Sequence, residues 1–172
     1  MQFLKSKRLM LLLVTFASIL AFGVTTSLAQ EKVKTKRKDY GVMVTYETLK
    51  ADDIEGHTLN LFENRGAGVG SAGEITFIGK GTSDLIKGNG THQGYYKGTD
   101  KDGDAYFSKW QGKVSTTKSP EGKPIMKWEG TFSYVKGTGK WENIQGGGTY
   151  KGGFIARGIY VNYVEGEYII KK

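Results

Sequence analysis

The sequence predicts an all-β protein, a small eight-stranded antiparallel β-barrel that follows an N-terminal signal peptide. Apolar or aromatic residues alternate with polar residues at a period of two in several stretches, and no long window has the period of a helix. Glycine accounts for 26 of the 172 residues, about twice the average share of roughly 7%. Barrels use glycine where strands bend sharply around a small circumference, so the glycine content favours a barrel over a sandwich.

The first 29 residues have the pattern of a signal peptide. Three basic residues precede an apolar run from 9 to about 24, and Ser27-Leu28-Ala29 places small residues at the positions that a signal peptidase reads. Cleavage before Gln30 would leave a mature chain with no transmembrane segment, exported to the periplasm or to the medium. The alternative, a retained membrane anchor, requires a longer apolar run. The chain has no cysteine for lipid attachment or for a disulfide.

The formal net charge of +8 is concentrated near the N-terminus. The predicted signal accounts for three positive charges and residues 30–38 for a net +4, which leaves residues 39–172 close to neutral at +1. The body of the protein therefore offers no basic surface for nucleic acid. We predict a basic flexible arm at 30–38 and a single β-barrel domain at 39–172. Attraction to anionic lipid or polysaccharide is the alternative role for the arm.

The predicted strands follow one another with turn signals between them. The first strand places Tyr40, Val42, Val44 and Tyr46 on one face. Further strands are expected at 57–65, 74–80, 89–97, 105–114, 128–134 and 141–150, with a final strand pair or bent strand at 154–170. Four segments have the composition of connections: acidic 51–56, glycine-rich 66–73, the Asp-Gly turn at 100–104, and 118–123, which contains Pro120 and Gly122.

The hairpin near the C-terminus has the clearest pattern. Aromatic residues and glycine alternate with polar residues from Trp128 to Tyr134, as a half-buried strand requires. Gly137-Thr138-Gly139 supplies the unusual backbone angles of a tight connection to the returning strand. The glycine triplet at 146–148 would weaken an ordinary strand, so it predicts a bulge, a sharp bend or a close backbone contact.

The segment from Val135 to Gly146 resembles the signature Gly-Thr-Gly, any residue, aromatic, then Gly that allene oxide cyclases and dirigent proteins share. Val44-Thr45-Tyr46-Glu47 looks like the segment that opens the cyclase barrel, where a glutamate after a tyrosine points into the cavity. The resemblance implies a secreted, bacterial-style member of this calycin-type group of eight-stranded barrels. It also implies that Glu47 acts as a catalytic base or charge stabiliser.

The sequence departs from the cyclase pattern at the other site positions. Leu49, Glu55 and Gly56 stand where the cyclases have an asparagine and a Ser-Pro pair, and the chain has no counterpart of the cavity cysteine. A shared motif over about ten residues says more about fold than about activity. From the strand pattern alone, an exposed position is favoured for Glu47.

The remaining motifs predict no cofactor and no metal. The glycines at 68–73 match the letters of a dinucleotide fingerprint, but a strand follows where a helix is needed. The turn at 100–104 lacks the glycine and the glutamate of a calcium loop, which leaves a hairpin turn, with adventitious calcium as the alternative. His57 and His92 are the two histidines, and no cysteine can join them at zinc. Each is expected to be a surface or strand histidine.

These observations predict a cofactor-free barrel that binds a small apolar molecule. One alternative is an allene oxide cyclase-like or dirigent-like isomerase or lyase, and another is a structural envelope barrel without ligand; association into a homo-oligomer is compatible with all three. Period two alone cannot assign the inward face, because a one-residue slip in register reverses it. The candidate ligand-binding residues are Tyr46, Trp110, Trp128, Phe132, Tyr134 and Tyr160.

Overall fold

Eight antiparallel strands close into one barrel in the computed structural model, which describes residues 31–171. Each strand pairs with its neighbour in sequence, and the last strand pairs with the first. The strands are β1 Val33–Lys50, β2 His57–Gly70, β3 Gly73–Ile86, β4 Asn89–Asp100, β5 Ala105–Lys118, β6 Pro124–Gly137, β7 Ile144–Ala156 and β8 Ile159–Ile170, with one turn of 3-10 helix at Gly139–Trp141. The predicted all-β, eight-stranded barrel is confirmed.

The N-terminal boundary of the barrel differs from the prediction. Residues 1–29, predicted to be a signal peptide, lie outside the described residues. The basic arm expected at 30–38 is mostly strand, because β1 begins at Val33 and its residues from Val33 to Val42 pair with β8. Arg37 faces the interior there and pairs with Asp39, so part of the charge taken for a solvated arm belongs to the core. Within residues 31–171, no helix is long and apolar enough to cross a membrane.

The glycine-rich segment expected to be a loop at 66–73 is also mostly strand, since β2 continues to Gly70. Gly66 lies beside β1, where an added Cβ would overlap the Tyr40 carbonyl and come within 2.6 Å of the Phe77 ring. Glycine is therefore required there for close approach of the backbone.

Glycines opposite large aromatic residues recur around the barrel. The paired positions include Gly41 with Tyr160, Gly98 with Tyr106, Gly94 with Trp110, Gly148 with Phe132, and Gly152 with Trp128. An added Cβ would lie 2.6 Å from the Trp110 ring at Gly94, and it would overlap the Tyr160 ring at Gly41 and the Tyr106 ring at Gly98. These rings therefore occupy space that their partner glycines leave empty. These glycines thus serve packing against the inner wall rather than turns.

A β-bulge in β1 decides which side chains of that strand face inward. The pairing with β2 shifts between Met43 and Thr45, so that Val44 is left as the extra residue. Tyr46 then pairs with Phe62 and stacks on its ring with centroids 6.3 Å apart. Glu47 takes the next, outward position opposite Leu61, and it is exposed.

One end of the barrel is closed by an apolar cluster around Trp141. The connection between β6 and β7 spans residues 138–143 and contains the 3-10 turn, so it is longer than the tight turn predicted from Gly137-Thr138-Gly139. The turn places the Trp141 ring against Tyr106 at 5.4 Å, and Trp141 Nε1 donates a hydrogen bond of 2.9 Å to Asp100 Oδ2. The buried members of the cluster are Ile75, Phe77, Tyr106, Trp141, Ile144 and Tyr160.

Replacement of either glycine of this connection by alanine is expected to destabilise the barrel. Gly139 has φ +55°, and an added Cβ would overlap the Asp104 carboxylate; at Gly137 it would overlap the Trp141 backbone. The left-handed backbone alone costs about 1–2 kcal/mol for a residue with a Cβ. We expect Gly139→Ala to lower the free energy of unfolding by more than this, measured by urea denaturation.

Gly103 provides the matched control for this prediction. It lies in the β4–β5 turn with φ +87°, but no atom lies within 4 Å of an added Cβ. Gly103→Ala should therefore lower the free energy of unfolding only by the cost of the left-handed backbone, without a steric clash. Equal losses at Gly103 and Gly139 would contradict the steric part of the argument.

Candidate functional site: an aromatic cavity inside the barrel

A cavity of about 1240 Å³ occupies the interior of the barrel. Pockets that bury drug-sized molecules typically measure about 300–1,000 Å³, so this cavity has room for a small ligand. Its lining is rich in aromatic residues, with several polar groups among them. All six aromatic residues chosen from the sequence line it: Tyr46, Trp110, Trp128, Phe132, Tyr134 and Tyr160.

The cavity has a closed end and a mouth. The closed end lies against the Trp141 cluster. At the opposite end the lining continues onto exposed residues next to the β5–β6 and β7–β8 connections: Lys123, Ile125, Ile155 and Arg157. Ile155 is 59% exposed, and it gives the mouth an apolar edge beside the two cations. An apolar molecule would enter past these residues.

Stacked rings form a continuous wall on one side of the cavity. Phe62 stacks on Trp110 with centroids 6.0 Å apart, and Trp110 packs on the His92 ring at 4.9 Å. Across the barrel, Trp128 meets the edge of Tyr160 at 5.7 Å. Such ring pairs hold one another in fixed orientations, so the wall is preformed rather than assembled by a ligand.

A buried ion pair lies among the lining residues, toward the closed end. Arg37 donates from Nε to Asp39 Oδ1 at 2.5 Å and from Nη2 to Oδ2 at 2.9 Å. Its remaining donors reach the hydroxyls of Tyr106 at 2.5 Å and Tyr96 at 3.1 Å. Burial alone would lower the pKa of Arg37, but Tyr96 and Asp39 raise it above the ordinary value, so the guanidinium stays charged. The two opposite charges leave this end of the cavity neutral overall.

His92 and Tyr150 form a second polar group in the wall. His92 Nε2 lies 3.0 Å from the Tyr150 hydroxyl. Burial lowers the pKa of His92 to about 4, and a hydrogen bond to the Glu129 backbone opposes this only in part, so the imidazole is neutral at pH 7. The sequence pattern identified His92 only as a surface or strand histidine. Its position on the cavity side of β4 depends on the register of that strand with β5.

Two asparagines add to the polar lining. Asn162 Oδ1 accepts a hydrogen bond of 2.6 Å from Trp128 Nε1, and Asn64 Oδ1 accepts one of 2.9 Å from the Tyr160 hydroxyl. Both asparagines line the cavity, and neither was chosen from the sequence. Their carbonyl oxygens are engaged by the rings beside them, so these amides fix the orientation of Trp128 and Tyr160.

Glu47, the candidate catalytic residue, lies on the outer surface of the barrel. The bulge at Val44 turns it away from the interior, and it does not line the cavity. Within residues 31–171, Asp39 is the one carboxylate among the lining residues, and Arg37 holds it. The described residues contain no cluster of three or more His, Asp or Glu side chains that could hold a metal ion.

The burial of His92 predicts a loss of stability at mildly acidic pH. Because its folded pKa is lowered from 6.5 to about 4, the unfolded chain takes up the proton first. The contribution of the neutral His92 ring to the free energy of unfolding is fully present above pH 6.5, and it is lost as the pH falls through the folded pKa near 4. We expect a loss of up to about 3 kcal/mol in the free energy of unfolding across this window. Urea denaturation of the wild type and of His92→Gln measures it, and the variant should lose less.

The other shifted groups act in different windows. Asp53 and Asp84 raise the pKa of His57, so its contribution is present below 6.5 and is lost as the pH rises above that value. Burial would raise the pKa of Asp100, but hydrogen bonds from Lys140 and Trp141 lower it from 3.8 to about 2, so its contribution is lost only in stronger acid. If the free energy of unfolding depends on pH in the same way in the wild type and in His92→Gln, the loss of stability between pH 6.5 and 4 does not come from His92.

Comparison of the chain with protein-family models, with curated proteins and with solved structures yields no match. The barrel is consistent with a calycin-like fold. The relation to allene oxide cyclases and dirigent proteins stays a prediction from the motif at 135–146. The cavity is therefore the feature of the barrel that bears on its function.

Proposed function

We propose that the chain is an exported, cofactor-free barrel that binds a small apolar molecule inside its cavity. The observation that carries the proposal is the aromatic cavity of about 1240 Å³, which has an exposed mouth at one end. A structural barrel fills its interior with its own side chains and has no such space. Export is predicted from residues 1–29 alone.

The lining suits an apolar ligand with flat surfaces. Rings such as Trp110 and Phe62 are held in place by stacking and by the glycines opposite them, so little side-chain freedom is lost on binding. Burial of about 200 Å² of apolar ligand surface contributes roughly 5 kcal/mol before the costs of association are subtracted. The few polar groups, which are mostly engaged with one another, would orient the ligand.

The placement of the carboxylates favours binding over the isomerase or lyase alternative. A cyclase-like mechanism needs an acid or base that reaches the ligand. Glu47 lies outside the cavity, and Asp39 is engaged by Arg37. Glu47→Gln should therefore leave ligand binding unchanged. Turnover of an unsaturated fatty-acid epoxide that disappears in Glu47→Gln would instead support the enzymatic alternative.

Ligand binding is testable with neutral apolar probes such as naphthalene and unsaturated fatty alcohols. A probe that binds only the folded barrel should raise the melting temperature, with a stabilisation of about 2.7 kcal/mol at a free concentration 100 times Kd. It should also quench or shift the emission of Trp110 and Trp128, which line the cavity. The absence of both effects with every probe would favour a packed structural barrel.

Two aromatic residues on the neighbouring strands β5 and β4 provide a matched pair of variants. Trp110→Ala removes part of the stacked wall and should weaken the binding of naphthalene at least tenfold, since a large ring contact is lost. Tyr95 is 66% exposed and does not line the cavity, so Tyr95→Ala should bind like the wild type. Equal affinities of the two variants would place the binding site elsewhere.

A further inference from the structure

Two cations stand at the mouth of the cavity, at the ends of neighbouring strands. Lys123 directly precedes β6 and Arg157 directly follows β7, and these two strands pair antiparallel. Both residues are exposed, and both line the cavity. Within residues 31–171, neither forms an ion pair with a carboxylate. The mouth therefore carries two positive charges without a counter-charge from the described part of the chain.

The carboxylates at this end of the barrel lie outside the cavity. Glu121, two positions before Lys123, accepts a hydrogen bond of 2.8 Å from the Ser119 hydroxyl. Asp53 and Glu55, in the β1–β2 connection, are paired with other side chains of that end. None of these three acids lines the cavity. A molecule seated in the mouth would thus meet the two cations rather than an acid.

The closed end of the cavity offers no comparable place for an anion. Arg37 is held there by two hydrogen bonds to Asp39, and its other donors reach tyrosine hydroxyls. The charges of that pair cancel, so the net positive charge of the lining comes from Lys123 and Arg157. A charged group of a ligand is favoured at the mouth for a second reason, since water can solvate it there.

Apolar side chains connect the cations to the interior. Ile125 stands two positions after Lys123, and Ile155 stands two positions before Arg157; both isoleucines line the cavity. They are 38% and 59% exposed, so they form an apolar rim that water reaches. A chain that runs from the mouth to the aromatic wall around Trp110 would stay in contact with apolar atoms along its length.

We propose that the ligand is an apolar molecule with one anionic group, which stays at the mouth beside Lys123 and Arg157 while the apolar part fills the cavity. The proposal rests on the binding function proposed above and names the chemical class of its ligand. Exposed ion pairs are weak individually, and each cation should contribute about 2- to 5-fold in affinity. The two together should contribute about 4- to 25-fold.

The test compares three molecules with the same ten-carbon chain: decanoate, decanol and decylammonium. Their affinities are measured by isothermal titration calorimetry at pH 7.5, where the acid and the amine are both ionised. For the wild type we expect decanoate to bind about 4- to 25-fold more tightly than decanol, and decylammonium to bind most weakly. The preference for decanoate over decanol should shrink in high salt, which screens exposed charges.

Substitution of the two cations tests the assignment. Lys123→Gln and Arg157→Gln should each reduce the ratio of decanoate to decanol affinity by about 2- to 5-fold. The ratio within one variant cancels any general change of the cavity. Lys127→Gln is the control, because Lys127 is an exposed lysine of β6 that does not line the cavity, and it should keep the wild-type ratio. The double variant Lys123→Glu, Arg157→Glu should prefer decylammonium to decanoate.

The possible outcomes separate this inference from the binding function. If neither naphthalene nor any of the decyl compounds binds the wild type, both are overturned. Binding of decanol as tight as that of decanoate, or a preference for decanoate that persists in the double variant, overturns the inference alone. Binding of the wild type to phosphatidylglycerol vesicles, without a preference for decanoate, would mean that the two cations dock the barrel on a membrane, and it would also overturn the inference.

Discussion

Asp39→Ala is expected to lower the free energy of unfolding by about 3–5 kcal/mol, because it leaves the buried charge of Arg37 without its partner. Asp39 is 2% exposed, and the Arg37 side chain is 17% exposed. Two hydrogen bonds to the guanidinium are lost with the carboxylate, while the hydroxyls of Tyr96 and Tyr106 cannot neutralise the charge. Urea denaturation measures the effect as a lower midpoint at constant m value.

The double variant Arg37→Met, Asp39→Leu separates the cost of a lone buried charge from the contribution of the pair. Removing both charges eliminates the desolvation penalty together with the attraction, so most of the lost stability should return. The exposed pair Lys36–Glu165, at 3.2 Å, is the control, and Lys36→Ala should change stability little. An Asp39→Ala protein as stable as the wild type would mean that Arg37 reaches solvent.

The barrel could be predicted because alternation and glycine content are local properties of the chain. The same reasoning misplaced its first strand, since Arg37 was counted among the charges of a solvated arm. The residues Arg37 and Asp39 stand two positions apart and therefore share a face of a strand. Opposite charges at that spacing were the available signal that this segment belongs to the barrel.

The inward face of β1 could not be predicted, because the sequence shows no break where the bulge occurs. Tyr40, Val42, Val44 and Tyr46 alternate smoothly, yet Tyr46 lines the cavity and the other three do not. The bulge at Val44 is a property of the pairing with β2 and is absent from the pattern of β1 alone. This one residue decides that Glu47 lies outside.

The polar part of the site depends on registers that the sequence does not display. His92 and Tyr150 are 58 positions apart and meet only because β4 to β7 align two glycines between them. Each glycine taken alone predicts a turn or a bend as well as it predicts space for a ring. The aromatic candidates were easier to identify, because large rings at alternate positions lie more often on the buried face than on the exposed one. Tyr40 and Tyr95 are exceptions, since neither lines the cavity.

Trp141→Ala is expected to cost about 3–5 kcal/mol of stability, the range for a fully truncated buried aromatic residue. Trp141 is 6% exposed, and its ring meets the edges of Tyr106 and Tyr168 at 5.4 Å each. Its loss opens a void at the closed end and removes the donor to Asp100 Oδ2. Thermal or urea unfolding measures the change, and a loss below about 1 kcal/mol would mean that the closed end collapses around the smaller side chain.

Trp141→Phe distinguishes the packing of the ring from its hydrogen bond. The variant keeps an aromatic ring but not the indole N–H, and Lys140 Nζ still lies 2.8 Å from Asp100 Oδ2. We therefore expect a smaller loss, about 1–3 kcal/mol, from the one lost hydrogen bond to the charged Asp100 carboxylate. Trp141 does not line the cavity, and Trp110 does. Trp141→Phe should therefore melt earlier yet bind naphthalene with the affinity of the wild type, whereas Trp110→Ala should bind it more weakly. Weaker naphthalene binding by Trp141→Phe would show that the closed end shapes the binding site as well as the fold.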